Sequence, residues 1–205
     1  MLKNVVFDMG NVLIGFDHDV IMDQHSLNEE ERKLVREKLF LGENWKLHDL
    51  GILDEEQLYQ RTVEQLPEHL HKTVHELVFH WHDPVLPIKG MDQLIRQLKQ
   101  KGMRLYLLSN AGKDQKSYWN RIPGSEFFDG TVVSAFEGCI KPDPKIYRIL
   151  LERYHLRVEE CLFIDDMEEN LTSAKKLGMD VIRFDGDVKK LKNEIEKRLG
   201  EEKIC

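Results

Sequence analysis

Three acidic side chains in this 205-residue sequence directly follow short apolar runs, and carboxylates can act as nucleophiles, proton carriers or ligands. Asp8 follows residues 5–7, and the adjacent Asp165 and Asp166 follow residues 161–164. Such runs are typical of buried parallel strands. Because ligands of open α/β sheets bind at the carboxyl ends of the strands, each acid has a position suited to an active site.

A lysine, a hydroxyl and an amide follow other predicted strands. Ser109 and Asn110 come directly after residues 104–108, and Lys141 lies just past a weaker strand pattern at 131–134. The carboxyl ends of parallel strands lie along one edge of a sheet, so residues that are distant in sequence can meet there. We therefore predict one site that combines three acids, an ammonium group and a hydroxyl.

Strand patterns alternate with helix patterns through most of the chain. The strand patterns cover residues 5–7, 104–108, 131–134, 161–164 and 181–184. The helix patterns cover residues 90–101, 113–121, 145–154, 168–177 and 187–199. This alternation is typical of right-handed βαβ units. The predicted fold class is α/β, with a doubly wound parallel sheet.

A different pattern interrupts the alternation near the start of the chain. Residues 16–82 have helical spacing and almost no strand signal. The predicted helices cover residues 29–41, 55–66 and 68–82. Asn28 and Asp54 precede acidic residues and are candidate N-caps. We predict that residues 16–82 form an all-helical insertion in a core domain of residues 1–15 and 83–205.

The composition limits the partners of the protein. The net charge is −7 and the basic residues are scattered among acids, which argues against nucleic acid or an anionic membrane as the main partner. No apolar run approaches the ~20 residues of a membrane helix, and residues 1–13 lack the pattern of a signal peptide. Cys139, Cys161 and Cys205 have no C-x-x-C spacing, which favours a reduced, cytoplasmic setting. We expect a monomer.

Four segments resemble, in order, the signature motifs of the haloacid dehalogenase-like hydrolase superfamily. Residues 7–13 (FDMGNVL) resemble its motif I, and residues 108–110 (LSN) resemble motif II. Residues 141–144 (KPDP) resemble motif III, and residues 163–170 (FIDDMEEN) resemble motif IV. The helical residues 16–82, between motifs I and II, match the C1-type cap of this family. The resemblance implies a Rossmann-like core with an inserted helical cap.

The resemblance also implies a Mg²⁺-dependent phosphohydrolase. Asp8 would be the nucleophile and would form an aspartyl-phosphate that water hydrolyses. The ligands of Mg²⁺ would be Asp8, the backbone carbonyl of Gly10 and Asp166, and Asp165 would bind directly or through a water molecule. Asn170, four residues after Asp166, is interpreted as a positioning residue on the same helix face.

The remaining motif residues would handle the phosphate. Lys141 would offset the repulsion between Asp8 and the phosphate, and between Asp8 and Asp166. Ser109 and the amide of Asn110 would hold phosphoryl oxygens. The implied substrate is a small phosphorylated metabolite.

The sequence departs from the family pattern at position 10. Family phosphatases usually carry a second Asp two residues after the nucleophile, as general acid and base, and here that residue is Gly10. General acid–base catalysis contributes typically ~10²–10⁴-fold in rate, so activity against poor leaving groups is in question. An anomeric sugar phosphate, with its better leaving group, would need less help. Alternatively, a cap residue such as Asp17 or His18 could replace the acid.

Three functions stay open from the sequence. The variant Phe-Asp-Met-Gly-Asn-Val resembles a bacterial subgroup that includes α-D-glucose-1-phosphatase and shares the glycine, which favours an active phosphatase. A 2-haloacid dehalogenase needs no proton for its halide, but it needs no metal and typically has an aromatic residue in place of Gly10. The third alternative is a catalytically weak, phosphate-binding or regulatory protein.

Overall fold

A five-stranded parallel sheet forms the centre of the computed structural model, which describes residues 1–200. The strands are β1 (Asn4–Phe7), β2 (Arg104–Ser109), β3 (Gly130–Val133), β4 (Cys161–Asp165) and β5 (Asp180–Arg183). Their order across the sheet is β3-β2-β1-β4-β5, and each neighbouring pair is parallel. The predicted α/β fold class with a parallel sheet is confirmed.

Helices connect the strands and form the segment between β1 and β2. They are α1 (His18–Met22), α2 (Glu29–Val35), α3 (Glu43–Asp49), α4 (Glu55–Val63), α5 (His71–Phe79), α6 (Met91–Gln100), α7 (Gln115–Tyr118), α8 (Ser134–Glu137), α9 (Pro144–Arg153), α10 (Glu168–Leu177) and α11 (Val188–Gly200). A π-helical turn, Arg36–Phe40, continues α2. Short 3-10 turns lie at Glu68–Leu70, Trp119–Arg121, Ser125–Phe127 and Val158–Glu160.

Helices cover both faces of the sheet. Successive side chains of a strand point to opposite faces, and both faces of β1 are buried. Phe7 belongs to an apolar cluster that includes residues of α6 and α11, whereas Val6 belongs to a cluster that includes residues of α9 and α10. A strand buried on both faces is continuously apolar, which is why the run before Asp8 carries no polar alternation.

Helices α1 to α5 pack around an apolar cluster of their own. Its buried members are Ile21, Met22, Val35, Leu39, Phe40, Leu58, Val63, Leu66, Leu70, Val74, Leu77 and Val78. Asn28 and Asp54 form capping boxes with Glu31 and Gln57, as their positions before helix patterns predict. The division of the chain into core and cap domains stays a prediction.

One predicted helix is shorter than expected. The pattern at 113–121 predicts a single helix, but only Gln115–Tyr118 is α-helical before a 3-10 turn. Ile122 is extended (φ −80°, ψ 117°), because the following Pro123 disfavours a helical conformation of the preceding residue. Within residues 1–200, none of the helices has the length and apolar character needed to cross a membrane. Cys139 and Cys161 are buried free thiols, and Cys205 lies outside the described residues.

Candidate active site

The carboxyl ends of β1, β2 and β4 open into a pocket of about 360 Å³. Asp8, Asn110 and Asp166 line it from the side of the sheet, together with Lys141. Side chains from the segment between β1 and β2 line the opposite wall. The predicted convergence of distant motifs therefore occurs, and it produces one pocket between the sheet and the helical segment.

Asp8 is held at the end of the central strand. Its backbone N–H donates to the carbonyl of Ile164 (2.9 Å), which continues the pairing of β1 with β4 by one residue. Its Oδ1 accepts a hydrogen bond from the Met9 N–H (2.7 Å) and lies 2.7 Å from the Nζ of Lys141. The carboxylate is thus fixed by the strand, by a backbone amide and by an ammonium group.

Lys141 is buried between two carboxylates. Its Nζ lies 2.7 Å from Asp8 Oδ1 and 2.7 Å from Asp165 Oδ2, and 1% of its side chain is exposed. A buried charge is tolerated when it is paired in this way. Burial lowers the pKa of Lys141, but the charges of Asp8 and Asp165 raise it more, so the pKa lies above its ordinary value. The direct contacts of Lys141 are with Asp8 and Asp165, and its charge also opposes the rise in the pKa of Asp166.

The pKa of Asp8 is raised to about 7. Burial is the main cause and Asp165 adds to it, whereas the Coulombic attraction and the hydrogen bond of Lys141 oppose it. The ammonium group therefore favours the ionised carboxylate, which is the form that can attack an electrophile.

Asp165 is fully buried and both of its oxygens have partners. Oδ1 accepts from the Met167 N–H (2.8 Å) and from Asn170 Nδ2 (3.0 Å). Oδ2 accepts from Lys141 (2.7 Å) and from Asn170 Nδ2 (3.1 Å). Asn170 therefore contacts Asp165, although its spacing predicts a shared helix face with Asp166. The difference arises because α10 begins only at Glu168, after both acids.

Asp166 lines the pocket and completes an acidic cluster. One oxygen each of Asp8, Asp165 and Asp166 lies within 4.8 Å of the others. Burial and the charge of Asp165 raise the pKa of Asp166. Its Oδ2 accepts a hydrogen bond from Asn11 Nδ2 (3.3 Å). Three carboxylates at this separation repel one another, and hard oxygen donors of this kind suit Mg²⁺, so the donor set fits such an ion.

Gly10 lies in the pocket wall between Asp8 and Asn11. A Cβ atom built on Gly10 would have Phe16 Cβ as its nearest neighbour, at 3.5 Å, which is an ordinary contact. The glycine is therefore not required by lack of space. The predicted role of its carbonyl as a metal ligand stays a prediction.

The two residues of motif II differ in their surroundings. Ser109 is 1% exposed, and its hydroxyl has the Asn110 carbonyl as its hydrogen-bond partner at 3.4 Å. Asn110 lines the pocket, but its side chain is bonded to the backbone of Lys141: Nδ2 donates to the carbonyl (3.0 Å) and Oδ1 accepts from the N–H (2.7 Å). Contacts of either residue with phosphoryl oxygens stay predictions.

The two cap residues considered as substitutes for an acid have different positions. Asp17 is the N-cap of α1, and its carboxylate accepts from the N–H groups of Asp19 and Val20. His18 lines the pocket and stacks on Phe40, with ring centroids 4.3 Å apart. Burial lowers the pKa of His18.

Three polar residues on the pocket wall were not predicted from the sequence. His48 and Asp49, at the end of α3, and Asp114, after β2, all line the pocket. Burial raises the pKa of Asp49 to about 8 and that of Asp114 to about 6, and it lowers the pKa of His48. The sequence around these residues matches no motif, so only their tertiary position identifies them.

Aromatic rings form the rest of the far wall. Phe16 contacts Trp81 (ring centroids 4.9 Å apart) and Trp45 (5.9 Å), and Phe40 contacts Trp45 (5.1 Å). The pocket thus has an acidic floor on the side of the sheet. Its opposite wall is aromatic and also contains the polar residues His48, Asp49 and Asp114.

Together, the parallel sheet and the acid–lysine cluster at its carboxyl edge define an α/β enzyme with a helical cover over the site. The sequence model of the haloacid dehalogenase-like hydrolases matches residues 2–178, so the chain belongs to that family. The predicted superfamily and the predicted hydrolase are thereby confirmed.

Relatives with phosphatase names match most of the chain. A sesquiterpene phosphatase of Aspergillus oryzae is 27% identical over 86% of this chain and 87% of its own length. A D-ribitol-5-phosphate phosphatase of Bacteroides thetaiotaomicron is 23% identical over 89% of this chain and 92% of its own. Mouse acyl-CoA dehydrogenase family member 10 is 34% identical over 54% of this chain, but the match spans only 10% of that protein.

A solved structure supports the same fold. A haloacid dehalogenase family enzyme from Bacteroides thetaiotaomicron, in complex with magnesium and inorganic phosphate, superimposes with a TM-score of 0.73 at 21% identity. The match covers 93% of this chain and 99% of that one.

Proposed function

We propose that this protein is a Mg²⁺-dependent phosphatase that hydrolyses a small phosphorylated metabolite, such as glucose 1-phosphate or another sugar phosphate. The observation that carries the proposal is the buried Lys141, which lies 2.7 Å from Asp8 and from Asp165 in a pocket that also contains Asp166. The phosphatase names of two relatives that match most of the chain support it.

Asp8 is the proposed nucleophile. A carboxylate oxygen attacks phosphorus and forms an aspartyl-phosphate as the alcohol leaves, and water then cleaves this acyl phosphate and restores the carboxylate. Lys141 holds Asp8 ionised and partly neutralises the repulsion between the carboxylate and the incoming phosphate. Ser109 and the backbone amide of Asn110 are proposed to hold the phosphoryl oxygens.

The acidic cluster is the proposed Mg²⁺ site. Asp8, Asp166 and the backbone carbonyl of Gly10 would be ligands. Asp165 would act through water, because both of its oxygens already accept hydrogen bonds. When bound, Mg²⁺ would supply positive charge to the phosphoryl oxygens as charge redistributes between the attacking and leaving groups.

A phosphatase assay tests this proposal. We expect phosphate release from p-nitrophenyl phosphate and from a panel of sugar phosphates with Mg²⁺, and loss of that release with EDTA. Asp8→Asn should reduce kcat at least ~10³-fold, because it removes the nucleophile. Asp185→Asn, at an exposed acid paired with Lys190, is the control. Full activity of Asp8→Asn would contradict the proposed nucleophile.

A 2-haloacid dehalogenase is the second candidate, since the glycine at position 10 favours a leaving group that needs no proton. Three clustered carboxylates argue against it, because that reaction needs no cation. Chloride release from 2-chloropropionate that persists in EDTA would support the dehalogenase. A protein that binds phosphate without turnover of any substrate would instead support a weak, regulatory phosphate binder.

A further inference from the structure

The proposed phosphatase leaves one chemical task without a residue, because Gly10 has no side chain to protonate the leaving oxygen. We propose that Asp49, at the end of α3, donates this proton from the opposite wall of the pocket. The inference rests on the proposed function and adds to it a proton donor outside the four motifs.

Asp49 is held against the core by its own backbone. Its carbonyl accepts a hydrogen bond from the Ser134 hydroxyl (2.6 Å), and that hydroxyl also accepts from the Ala111 N–H (3.0 Å). Ser134 thus joins the end of α3 to the loop that follows β2. Asp49 lines the same pocket as Asp8 and Gly10, and the charge of Asp8 contributes to the raised pKa of Asp49.

The neighbouring turn makes a second close contact with the core. Gly51 has a φ of +70°, and a Cβ atom on it would collide with the carbonyl of Ala135. Lys113 Nζ donates to the Gly51 carbonyl (3.1 Å). These contacts fix the position of Asp49 relative to the sheet, as a proton donor requires.

Asp49 is also protonated at neutral pH. Burial raises its pKa to about 8; the charges of Asp114 and Asp8 add to this effect, and Lys141 opposes it. A general acid must carry its proton at the working pH and have a pKa near that pH. Asp49 meets both requirements at pH 7.

Other polar side chains of the pocket wall meet these requirements less well. Burial lowers the pKa values of His18 and His48 and so disfavours the protonated imidazoles that could donate a proton. Asp114, with a pKa of about 6, is mostly ionised at that pH. Its Oδ1 lies 3.9 Å from Nε2 of His48, whose two ring nitrogens are buried without hydrogen-bond partners among the described residues.

The proton balance of the step is simple. A bond forms between an Asp8 oxygen and phosphorus, and the bond between phosphorus and the leaving oxygen breaks, with its electron pair going to that oxygen. The carboxyl proton of Asp49 goes to the same oxygen and releases a neutral alcohol. Water then attacks phosphorus in the aspartyl-phosphate and gives a proton to the Asp49 carboxylate, and the bond between phosphorus and the Asp8 oxygen breaks with its electron pair going to Asp8. This step restores the Asp49 carboxyl group and the Asp8 carboxylate and yields phosphate.

The experiment compares two leaving groups in the Asp49→Asn variant. Nitrophenolate leaves p-nitrophenyl phosphate without protonation, whereas the alkoxide of a sugar 6-phosphate requires a proton. We expect Asp49→Asn to lower kcat/KM for the sugar 6-phosphate ~10²-fold or more and for p-nitrophenyl phosphate less than ~3-fold. Glu43→Gln, at an exposed acid of the same helix, should leave both unchanged.

Equal losses for both substrates, or no loss for either, would overturn the role of Asp49. A wild-type protein that hydrolyses p-nitrophenyl phosphate but no alkyl phosphate would also overturn it, since no proton then reaches the leaving oxygen. If the wild type hydrolyses neither ester, the proposed phosphatase itself fails. The circular dichroism spectrum and the Tm of Asp49→Asn, compared with those of Glu43→Gln, show whether a loss of activity in Asp49→Asn comes from a folding defect.

Discussion

The side chain of Asn110 forms hydrogen bonds with both the N–H and the carbonyl of Lys141. Its Oδ1 accepts from the Lys141 N–H at 2.7 Å, and its Nδ2 donates to the Lys141 carbonyl at 3.0 Å. Motif II therefore fixes motif III, and through it the ammonium group that reaches Asp8 and Asp165. The side chain of Asn110 thus positions the lysine, whereas a contact of its backbone amide with phosphate stays a prediction.

Replacing Asn110 should disturb Lys141 as well as the pocket. Asn110→Ala removes two hydrogen bonds and leaves two backbone groups of Lys141 without this partner, so we expect the free energy of unfolding to fall by about 1–3 kcal/mol. Denaturation in urea measures this loss. Asn44→Ala, a cap residue away from the catalytic pocket, is the control. Unchanged stability of Asn110→Ala would show that the two bonds are unimportant.

Removing the buried ammonium should destabilise the fold in a pH-dependent way. Lys141→Met leaves Asp8 and Asp165 close together without a cation, and the loss of one member of a buried ion pair typically costs about 3–5 kcal/mol. The loss should shrink as the pH falls from 7 to 5, because burial already favours the neutral form of Asp8, whose pKa is about 7. Urea denaturation at the two pH values tests this; a larger loss at pH 5 would contradict it.

The stability of the protein should depend on pH through Asp49. Its pKa is about 8 in the folded chain and near the ordinary 3.8 in the unfolded chain, so between these values the folded chain holds a proton that the unfolded chain has lost. The contribution of this group to stability is therefore complete below pH 3.8 and is lost as the pH rises to about 8. The Tm of Asp49→Asn relative to wild type should rise between pH 5 and pH 9. A constant difference, as expected for Glu43→Gln, would mean that Asp49 ionises normally.

Mg²⁺ should stabilise the protein through Asp166. A ligand that binds only the folded state adds about 2.7 kcal/mol at a concentration of 100 times its Kd, so the Tm should increase with Mg²⁺. Asp166→Asn should reduce this increase, because it removes a charged ligand from the cluster. Thermal melts with MgCl₂, compared with NaCl of equal ionic strength, measure the effect. An unchanged increase in the variant would exclude Asp166 from the metal site.

An acid introduced at position 10 should compensate for the loss of Asp49. The nearest atom to a Cβ on Gly10 is Phe16 Cβ at 3.5 Å, so the pocket accepts a side chain there. In the Asp49→Asn background, Gly10→Asp should recover at least ~10-fold of kcat/KM for a sugar 6-phosphate, since it returns a general acid. Gly10→Asn, which has the same size and no proton to donate, should recover nothing. Equal recovery by both would attribute the effect to packing.

Sequence patterns predict the sheet, the helical segment between β1 and β2, and the common edge at which Asp8, Lys141 and Asp166 lie. These features depend on local patterns: apolar runs make buried strands, caps begin helices, and parallel connection places the carboxyl ends of the strands together. The helices predicted at 68–82 and 113–121 differ from the pattern, since each is divided between a 3-10 turn and a shorter α-helix.

The contacts between side chains within the site follow only from the packing of the folded chain. Lys141 pairs with Asp165 rather than Asp166, and Asn110 binds the backbone of Lys141, because side-chain contacts depend on orientations that spacing does not encode. The packing also decided that Asp49 lines the pocket, since this depends on how α3 packs on Ser134, 85 residues away in the chain. Local patterns fix the elements, whereas contacts between distant residues form only when those elements pack together.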